Sequence, residues 1–219
     1  MKALILVAGG SGQRMGTSLP KQYLELGGKA IIQHSLERFL AFDPNIRIIL
    51  VLSPSHQSYW DKVAAGLDSS LSPIICKGGK ERFDSVSRGL EEIPDGMLVG
   101  IHDAVRPLVS VETIRRCYAA AEETGSGIPV LAMDESVRQL DAGNNSRNLE
   151  RATLRRVQTP QTFRSEEIKR AYQVIGERGF TDDASVYEAH YGKLNLVEGN
   201  QENIKITTAT DLKLASLLI

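Results

Sequence analysis

The sequence predicts an α/β fold with a doubly wound, mostly parallel sheet and a projecting β-arm. Short β-branched runs alternate with helical patterns along the 219 residues, these runs are apolar at successive positions, and one polar stretch interrupts the alternation. Strands that are apolar on both faces and separated by helices are typical of parallel sheets with right-handed crossovers. This length suits one Rossmann-like domain that comprises the whole chain, 1–219.

Strands are predicted where β-branched runs occur, at 3–8, 46–52, 73–76, 97–102, 127–133 and 194–198. Helices are predicted where apolar residues recur on one face. Ile32, Leu36 and Phe39 share such a face in the first of them. The predicted helices span 30–42, 111–123, 165–176, 183–191 and 208–219, and a further one opens within GGKERFDSV (78–86).

Residues 134–157 are polar and lack a helical apolar stripe, and they contain the turn signal AGNN at 142–145. We interpret them as two extended segments joined by a turn, which would project from the domain as an arm. A solvated loop is the alternative, although loops of this length without secondary structure are uncommon.

Composition narrows the class of protein. Hydrophobic residues make up 42% and charged residues 24%, as in ordinary globular proteins, and 26 basic side chains balance 27 acidic ones. No overall field would therefore draw the chain to nucleic acid or to a membrane surface. Cys76 and Cys117 form no CxxC pair, and neither a signal peptide nor a run of about 18 apolar residues is present. A cytoplasmic protein is the expectation.

The stretch LILVAGGSGQRMGTSLPKQ (4–22) places a glycine-rich loop directly after the first strand. Such a loop lies at the carboxyl edge of a parallel sheet, and glycines let backbone N–H groups approach an anion. The loop lacks the third glycine of the dinucleotide fingerprint, the GK[ST] of a Walker A loop and the GxSxG of a nucleophile elbow. Arg14 and Lys21 are the distinctive residues, and two cations beside backbone donors suit a triphosphate. A solvated surface turn is the alternative.

Several motifs together extend this interpretation. AGGSGQRMG, PKQY, GGKERFDSV, HDAVRP (102–107), TPQTF (159–163), TDDAS (181–185) and VEGNQENIKIT (197–207) run in order along the chain. In this order the chain resembles the 2-C-methyl-D-erythritol 4-phosphate cytidylyltransferases, which have a nucleotidyltransferase fold. The resemblance implies transfer of CMP from CTP to methylerythritol phosphate, with pyrophosphate as the second product, in isoprenoid precursor synthesis. It also implies Mg²⁺ and a homodimer formed through the arm.

The GGKERFDSV stretch is a candidate base-binding loop. Its glycines would let the backbone reach a base edge, Arg82 offers a planar fork of donors, and Ser85 offers a hydroxyl one helical turn further on. A plain helix N-terminus is the alternative. By resemblance, Gly79 and Ser85 read the cytosine and Arg82 supports the loop, while Lys80 departs from the family pattern. The remaining CTP-binding residues implied by resemblance are Ala8, Gly9, Gly10 and Gly12.

HDAVRP ends a predicted strand. Asp103 would lie near the Mg²⁺ of a triphosphate, Arg106 could bind the phosphate of the second substrate, and His102 is interpreted as a packed residue and not a ligand. Whether Asp103 binds the metal or the acceptor stays open, and a turn-stabilising role is a third alternative. Lys205 falls on a predicted short apolar strand, where it needs an anionic partner unless it extends to the strand end. By resemblance, Arg14, Lys21 and Lys205 are catalytic.

The resemblance also assigns the acceptor site to Asp103, Arg106, Ser136, Arg151, Thr159 and Lys205, with Arg151 reaching the neighbouring subunit's site. Judged without the family, Arg151 is one of several charges on a polar loop. Three rival functions remain. A ribitol 5-phosphate cytidylyltransferase would share the CTP-binding loops, a noncatalytic nucleotide-binding module would share the fold, and a nicotinamide-dependent oxidoreductase is disfavoured by the failed fingerprint.

Overall fold

The computed structural model describes residues 1–10, 19–67, 72–175 and 179–219. Glycine-rich loop residues 11–18, including Gly12 and Arg14, lie outside these ranges. Within them the strands are β1 (Lys2–Ala8), β2 (Glu25–Leu26), β3 (Lys29–Ala30), β4 (Arg47–Leu52), β5 (Ile74–Lys77), β6 (Leu98–Asp103), β7 (Ser126–Ala132), β8 (Val137–Leu140), β9 (Ser146–Leu149), β10 (Arg155–Val157), β11 (Gln161–Arg164) and β12 (Leu196–Glu198).

Six of the seven helices in the described ranges lie close to predicted positions. The seven are α1 (Ile31–Phe42), α2 (Gln57–Ala64), α3 (Arg82–Glu91), α4 (Val111–Thr124), α5 (Ser165–Ile175), α6 (Asp183–Tyr191) and α7 (Ala209–Ser216), of which α2 was not predicted. Short 3-10 turns occupy Lys21–Tyr23, Pro54–His56 and Arg151–Thr153. Within the described ranges, no helix combines the length and apolar character needed to cross a membrane.

The mostly parallel sheet predicted from the sequence is confirmed. β1 lies between β4 and β6 and runs parallel to both, and β5 extends the parallel part beyond β4. β11, which no pattern in the sequence predicts, runs antiparallel between β6 and β7. β12 pairs with β7 in parallel. The carboxyl ends of β1 and β6 therefore lie side by side, where a doubly wound sheet binds its ligands.

Alternate residues of the central strands pack on opposite faces of the sheet. Ile5 and Val51 belong to a buried cluster that includes residues of α3, α5 and α6. Leu6 and Leu50 belong to a second cluster, which includes residues of α1 and α4 together with Trp60 of α2. Because successive side chains of a strand point to opposite faces, a strand apolar throughout is what a sheet covered by helices on both sides requires.

The polar stretch contains the two extended segments and the turn that the sequence predicts, because β8 and β9 form an antiparallel hairpin. In its turn, Asp141 Oδ1 accepts hydrogen bonds from the N–H groups of Gly143 and Asn145, each at 2.9 Å. The predicted arm boundary at 157 is wrong. Residues 155–157 form β10, which pairs antiparallel with β7 and so belongs to the main sheet.

The strand predicted around Lys205 is also wrong. Residues 203–207 form no strand, although Ile206 donates a backbone hydrogen bond to the carbonyl of Val105 at 2.9 Å. Both isoleucines beside Lys205 belong to a small apolar cluster under α7, and Ile206 is fully buried there. The apolar pattern of NIKIT therefore reflects anchoring of an irregular segment beside the loop after β6.

Candidate active site

A cleft of about 460 Å³ opens at the carboxyl ends of β1 and β6. It brings together residues from five of the motifs, which lie in four distant stretches of the sequence. The lining residues are Val7, Ala8, Gly9, Gly10, Lys21, Gln22, Gly79, Lys80, Glu81, Arg82, Ser85, Asp103, Val105 and Lys205. Nine predicted site residues thus line one cleft: Ala8, Gly9, Gly10, Lys21, Gly79, Arg82, Ser85, Asp103 and Lys205.

One wall of the cleft comes from the start and the end of the glycine-rich segment. Gly9 and Gly10 follow β1, and Lys21 opens a 3-10 turn that returns to the same place. The next residue, Gln22, is buried, and its Nε2 donates to the carbonyl oxygen of Ala8 at 2.6 Å. Gln22 therefore fixes the backbone of Lys21 against the end of β1. The sequence alone does not indicate this role for Gln22.

The opposite wall is the loop before α3. The N–H of Gly79 donates to Ser85 Oγ at 3.0 Å, and that hydroxyl donates to the carbonyl of Glu81 at 2.9 Å. Ser85 therefore closes the loop on the first turn of α3. A Cβ on Gly79 would lie 2.0 Å from the Cβ of Asp84, so only glycine fits at this position. Lys80 lies exposed on the rim of the cleft.

Asp103 stands at the centre of a cluster of cations. Its Oδ2 lies 2.8 Å from Lys205 Nζ and 3.6 Å from Arg106 Nε, and its Oδ1 lies 3.6 Å from Arg82 Nε. Burial favours the protonated acid, but the charges of Arg82, Lys205 and Arg106 outweigh it and hold the pKa of Asp103 well below its usual range. Asp103 is therefore a carboxylate at neutral pH, surrounded by cations that can also bind a phosphate.

Arg82 is held by a second carboxylate. Its Nη1 and Nη2 donate to the two oxygens of Asp183 at 2.8 and 2.6 Å. Asp183 is fully buried, as the first residue of α6. It belongs to the TDDAS motif, which supported the family resemblance but received no individual role. An acidic residue at the start of a predicted helix was the only signal that could have identified it.

A second hollow of about 160 Å³ adjoins the first. The two hollows share Arg82, Asp103 and Lys205, and Arg106 and Thr159 line only the second. The Nη1 of Arg106 donates to the carbonyl of Asn203 at 2.7 Å, while its buried Nε has no hydrogen-bond partner among the described residues. The remaining lining residues are Val157, Gln158, Gln161, Thr181 and Asp182.

Two predicted acceptor-binding residues lie elsewhere in the chain. Ser136 and Arg151 line a separate hollow on the arm, together with neighbouring arm residues. Arg151 is exposed, and its Nη1 donates to the carbonyl of Asp134 at 2.7 Å. Within one chain these two side chains do not line either of the hollows that meet at Asp103.

The comparisons with known proteins agree with the geometry. The family model for 2-C-methyl-D-erythritol 4-phosphate cytidylyltransferase matches residues 2–219. The protein of that name from Bacteroides thetaiotaomicron is 46% identical over 219 residues, covering 100% of this chain and 99% of its own length. The one from Porphyromonas gingivalis is 47% identical over 217 residues, covering 98% of this chain and 96% of its own.

Solved structures show the same relationship. The 4-diphosphocytidyl-2C-methyl-D-erythritol synthase of Anaerococcus prevotii superposes with a TM-score of 0.84 at 26% identity, over 99% of this chain and 96% of that one. The 2-C-methyl-D-erythritol 4-phosphate cytidylyltransferase of Thermus thermophilus superposes with a TM-score of 0.77 at 30% identity, over 100% of this chain and 98% of that one. With a family match over nearly the whole chain and relatives at this identity, the chain belongs to the 2-C-methyl-D-erythritol 4-phosphate cytidylyltransferase family of nucleotidyltransferases.

Proposed function

We propose that this enzyme transfers CMP from CTP to 2-C-methyl-D-erythritol 4-phosphate, with release of pyrophosphate. The observation that carries the proposal is the pair of adjoining hollows that share Arg82, Asp103 and Lys205. The larger hollow has the glycine backbone and Lys21 for a nucleoside triphosphate, and the smaller has Arg106 for a phosphate monoester. Two substrates placed there would meet at the shared cluster.

The chemistry follows from the charges. An oxygen of the acceptor phosphate attacks the α-phosphorus of CTP, and the bond from that phosphorus to the pyrophosphate oxygen breaks. The attacking oxygen is anionic near neutral pH, so no general base or covalent enzyme intermediate is needed. Catalysis then consists of holding two anions together and stabilising the charge that develops. Lys21, Arg106 and Lys205 are the described cations placed for this work, and Arg14 stays a prediction for the same role.

The loop before α3 suits a pyrimidine base by its backbone. Gly79 has no side chain to fill the cleft, and Ser85 holds the loop closed from within. Cytosine offers an amino donor beside ring acceptors, which backbone carbonyl and N–H groups can match. We propose that Gly79 and Ser85 determine the choice of cytosine and that the exposed Lys80 leaves this choice intact.

The cleft offers a suitable protein ligand for Mg²⁺, the carboxylate of Asp103. Among the described residues, no group of three or more His, Cys, Asp or Glu side chains could hold a metal by itself. Mg²⁺ commonly takes one or two carboxylates and completes its shell with substrate phosphates and water. Asp103 is the ionised, largely buried carboxylate in the cleft and would be the protein ligand. When bound, the ion would neutralise charge on the triphosphate.

We also propose a homodimer in which the arm completes the acceptor site. Ser136 and Arg151 lie together on the arm, outside the two hollows of their own chain. A second copy that presents its arm to the smaller hollow would add a hydroxyl and a guanidinium beside Arg106. A cytoplasmic location is part of the proposal, and the two buried cysteines are free thiols, as a reducing compartment requires.

Pyrophosphate release tests the proposed reaction directly. The assay compares methylerythritol 4-phosphate with ribitol 5-phosphate as acceptor, and CTP with ATP, GTP and UTP as donor, in the presence of Mg²⁺. We expect release with CTP and methylerythritol phosphate alone. Release only with ribitol phosphate would move the enzyme to the alternative that the named relatives do not favour. No release with any pair would overturn the proposal and favour a binding module.

The role of Lys21 is tested in the same assay. We expect Lys21→Ala to lower kcat by about 10²-fold, as when one transition-state donor is removed. Lys29→Ala is the matched control, because it removes an exposed lysine that pairs with Glu37 on the surface. Near-normal turnover of Lys21→Ala would contradict the assignment, and an equal loss in both variants would indicate a general defect.

A further inference from the structure

We propose that Asp183 is a positioning residue for the transfer reaction, acting through Arg82 to hold Asp103 in place between the two hollows. The inference rests on the proposed function and adds a role for TDDAS. It starts from one guanidinium that faces two carboxylates. Arg82 uses Nη1 and Nη2 for Asp183 and turns Nε toward Asp103.

The contact between Arg82 and Asp183 is a two-point one. Distances of 2.8 and 2.6 Å to the two carboxylate oxygens fix the plane of the guanidinium as well as its position. The charges of Asp183 and Asp103 outweigh the effect of burial and raise the pKa of Arg82, so the guanidinium stays charged. The fork formed by Nη1 and Nη2 is therefore taken by Asp183, and Arg82 turns its Nε toward Asp103.

Asp183 is itself held from three sides. Tyr172 of α5 donates its hydroxyl hydrogen to Asp183 Oδ1 at 2.6 Å, and the Tyr172 ring stacks on Phe83 of α3 at 4.5 Å between centroids. Asp183 also lies at the start of α6, where the helix dipole favours a negative charge. The carboxylate thus joins α3, α5 and α6, and its geometry is set by the core and not by solvent.

The contacts of Arg82 with Asp183 and Asp103 predict which step of the reaction depends on Asp183. Asp103 has three cations around it, of which Lys205 lies closest and Arg82 is the one fixed from behind by another acid. Removing the charge of Asp183 would leave Arg82 free to move onto Asp103 or onto a substrate phosphate. The position of Asp103 between CTP and the acceptor would change, whereas the walls that bind the base and Lys21 would not. Acceptor use should therefore suffer more than CTP binding.

The test combines three variants in the full-length enzyme. Asp183→Asn removes the charge and keeps the shape, and Tyr172→Phe removes only the hydroxyl that holds Asp183. Tyr118→Phe is the matched control, because its hydroxyl is also buried, donates to the carbonyl of Ala3 and accepts from the N–H of Gly100, and none of these three residues lines either hollow. We expect kcat/KM for the acceptor to fall about tenfold or more in Asp183→Asn, the size of a lost hydrogen bond to a charged group. A smaller loss is expected in Tyr172→Phe and none in Tyr118→Phe, with the Kd for CTP within about twofold throughout.

A double-mutant cycle separates positioning from plain structural support. In an Arg82→Lys background the two-point contact is already gone, so adding Asp183→Asn should change kcat/KM by less than about twofold. A full tenfold further loss would show that Asp183 does not act through Arg82 and would overturn the proposal. Wild-type acceptor kinetics in Asp183→Asn, or equal losses in Tyr118→Phe and Tyr172→Phe, would overturn it as well.

A spectroscopic readout keeps this test separate from the proposed function. A guanidinium bound at both terminal nitrogens rotates slowly, so the Nη hydrogens of Arg82 should give resolved NMR signals in the wild-type enzyme and lose them in Asp183→Asn. Fast rotation of Arg82 in the wild type would overturn the proposal. If the wild type releases no pyrophosphate while the Arg82 signals behave as expected, the function fails and the contact stands.

Discussion

The hydroxyl oxygen of Thr159 lies 3.0 Å from Nδ1 of His102 and accepts a hydrogen bond from the backbone N–H of Asp103 at 3.1 Å. The other ring nitrogen of His102, Nε2, faces the carbonyl oxygen of Arg106 at 3.1 Å. A carbonyl can only accept, so Nε2 carries the proton and Nδ1 accepts the hydroxyl hydrogen of Thr159. Thr159 therefore uses its one donor inside the protein and supports the backbone of Asp103.

Thr159→Val should damage the site while keeping its shape. The substitution leaves the Asp103 N–H and His102 Nδ1 without partners in a buried position, at a cost of about 1–3 kcal/mol for each unpaired group. We expect a fall of about tenfold or more in kcat/KM for the acceptor and a lower Tm. Steady-state kinetics and thermal unfolding measure the two effects. Thr159→Ser retains the hydroxyl, and if it proved as harmful as Thr159→Val, the hydrogen bonds would not be the cause.

His102 should make stability depend on pH. Burial lowers its pKa from 6.5 to about 4, although the hydrogen bond to the Arg106 carbonyl and the charge of Asp103 oppose the shift. The unfolded chain binds the proton more tightly than the folded one. The free energy of unfolding is therefore unaffected by this proton above about pH 7 and decreases as pH falls from 6.5 toward 4. At about pH 5 the free energy of unfolding should be lower by on the order of 2 kcal/mol.

Urea unfolding across this pH range, in metal-free buffer, measures the effect. The matched variant is His102→Gln, whose amide can still donate to the Arg106 carbonyl but does not titrate. We expect the wild type to lose more stability than His102→Gln between about pH 7 and 5, with the two curves parallel below about pH 4. Parallel curves over the whole range would mean that His102 contributes nothing to the pH dependence.

Much of the fold was accessible from the sequence because burial imposes regular patterns. Ile5 and Leu6 sit on opposite faces of one strand, and both must be apolar when helices cover both faces. The same reasoning predicted His102 as a packed residue, and it is fully buried. The antiparallel strand β11 gave no such signal, because a single apolar residue, Phe163, lies among polar neighbours whose burial depends on long-range pairing.

The candidate site was predictable in its backbone features and less so in its polar contacts. Glycine at 79 is required by local geometry, and such constraints leave a mark in the sequence. Hydrogen bonds join Arg82 to Asp183 and Gln22 to Ala8. These residues are not related by a helix or strand repeat, so the sequence carries no signal that they are in contact. The two isoleucines that flank Lys205 predict a strand, yet these side chains anchor an irregular segment.

Gly79→Ala should weaken CTP binding by displacing the base loop. A Cβ at this position would lie 2.0 Å from the Cβ of Asp84, on the first turn of α3, so either the loop or the helix must shift. We expect the KM for CTP to rise by about tenfold or more, as when about 1.4 kcal/mol or more of binding is lost. Steady-state kinetics with CTP varied provides the measurement.

Gly66→Ala is the control for this substitution. Among the described residues, its Cβ would meet only the carbonyl oxygen of Val63, at an ordinary contact distance of 3.6 Å, and Gly66 lines neither hollow of the site. We expect the KM for CTP to stay within about twofold of the wild type in this variant. An unchanged KM in Gly79→Ala would show that the loop does not bind the nucleotide.

Mixed dimers should reveal whether the arm acts on the neighbouring chain. Arg151→Ala and Lys21→Ala are each expected to be nearly inactive, because one loses the arm's guanidinium and the other the cleft's lysine. If each site combines the cleft of one chain with the arm of its partner, a heterodimer of the two variants contains one intact site. Random reassortment makes half of the dimers heterodimers, so activity should recover to about a quarter of the wild-type value.

The recovery depends on which chain supplies Arg151. If the arm served its own cleft, both sites of the heterodimer would carry one defect, and mixing would restore nothing. The experiment is therefore run by unfolding and refolding the two variants together, with each refolded alone as the control, and pyrophosphate release as the readout. Sedimentation of the refolded protein shows whether dimers form. Dimers of the mixed variants without recovered activity would assign Arg151 to its own chain. If the wild-type enzyme sedimented as a monomer and kept its full turnover, the proposed arm-mediated site would be contradicted altogether.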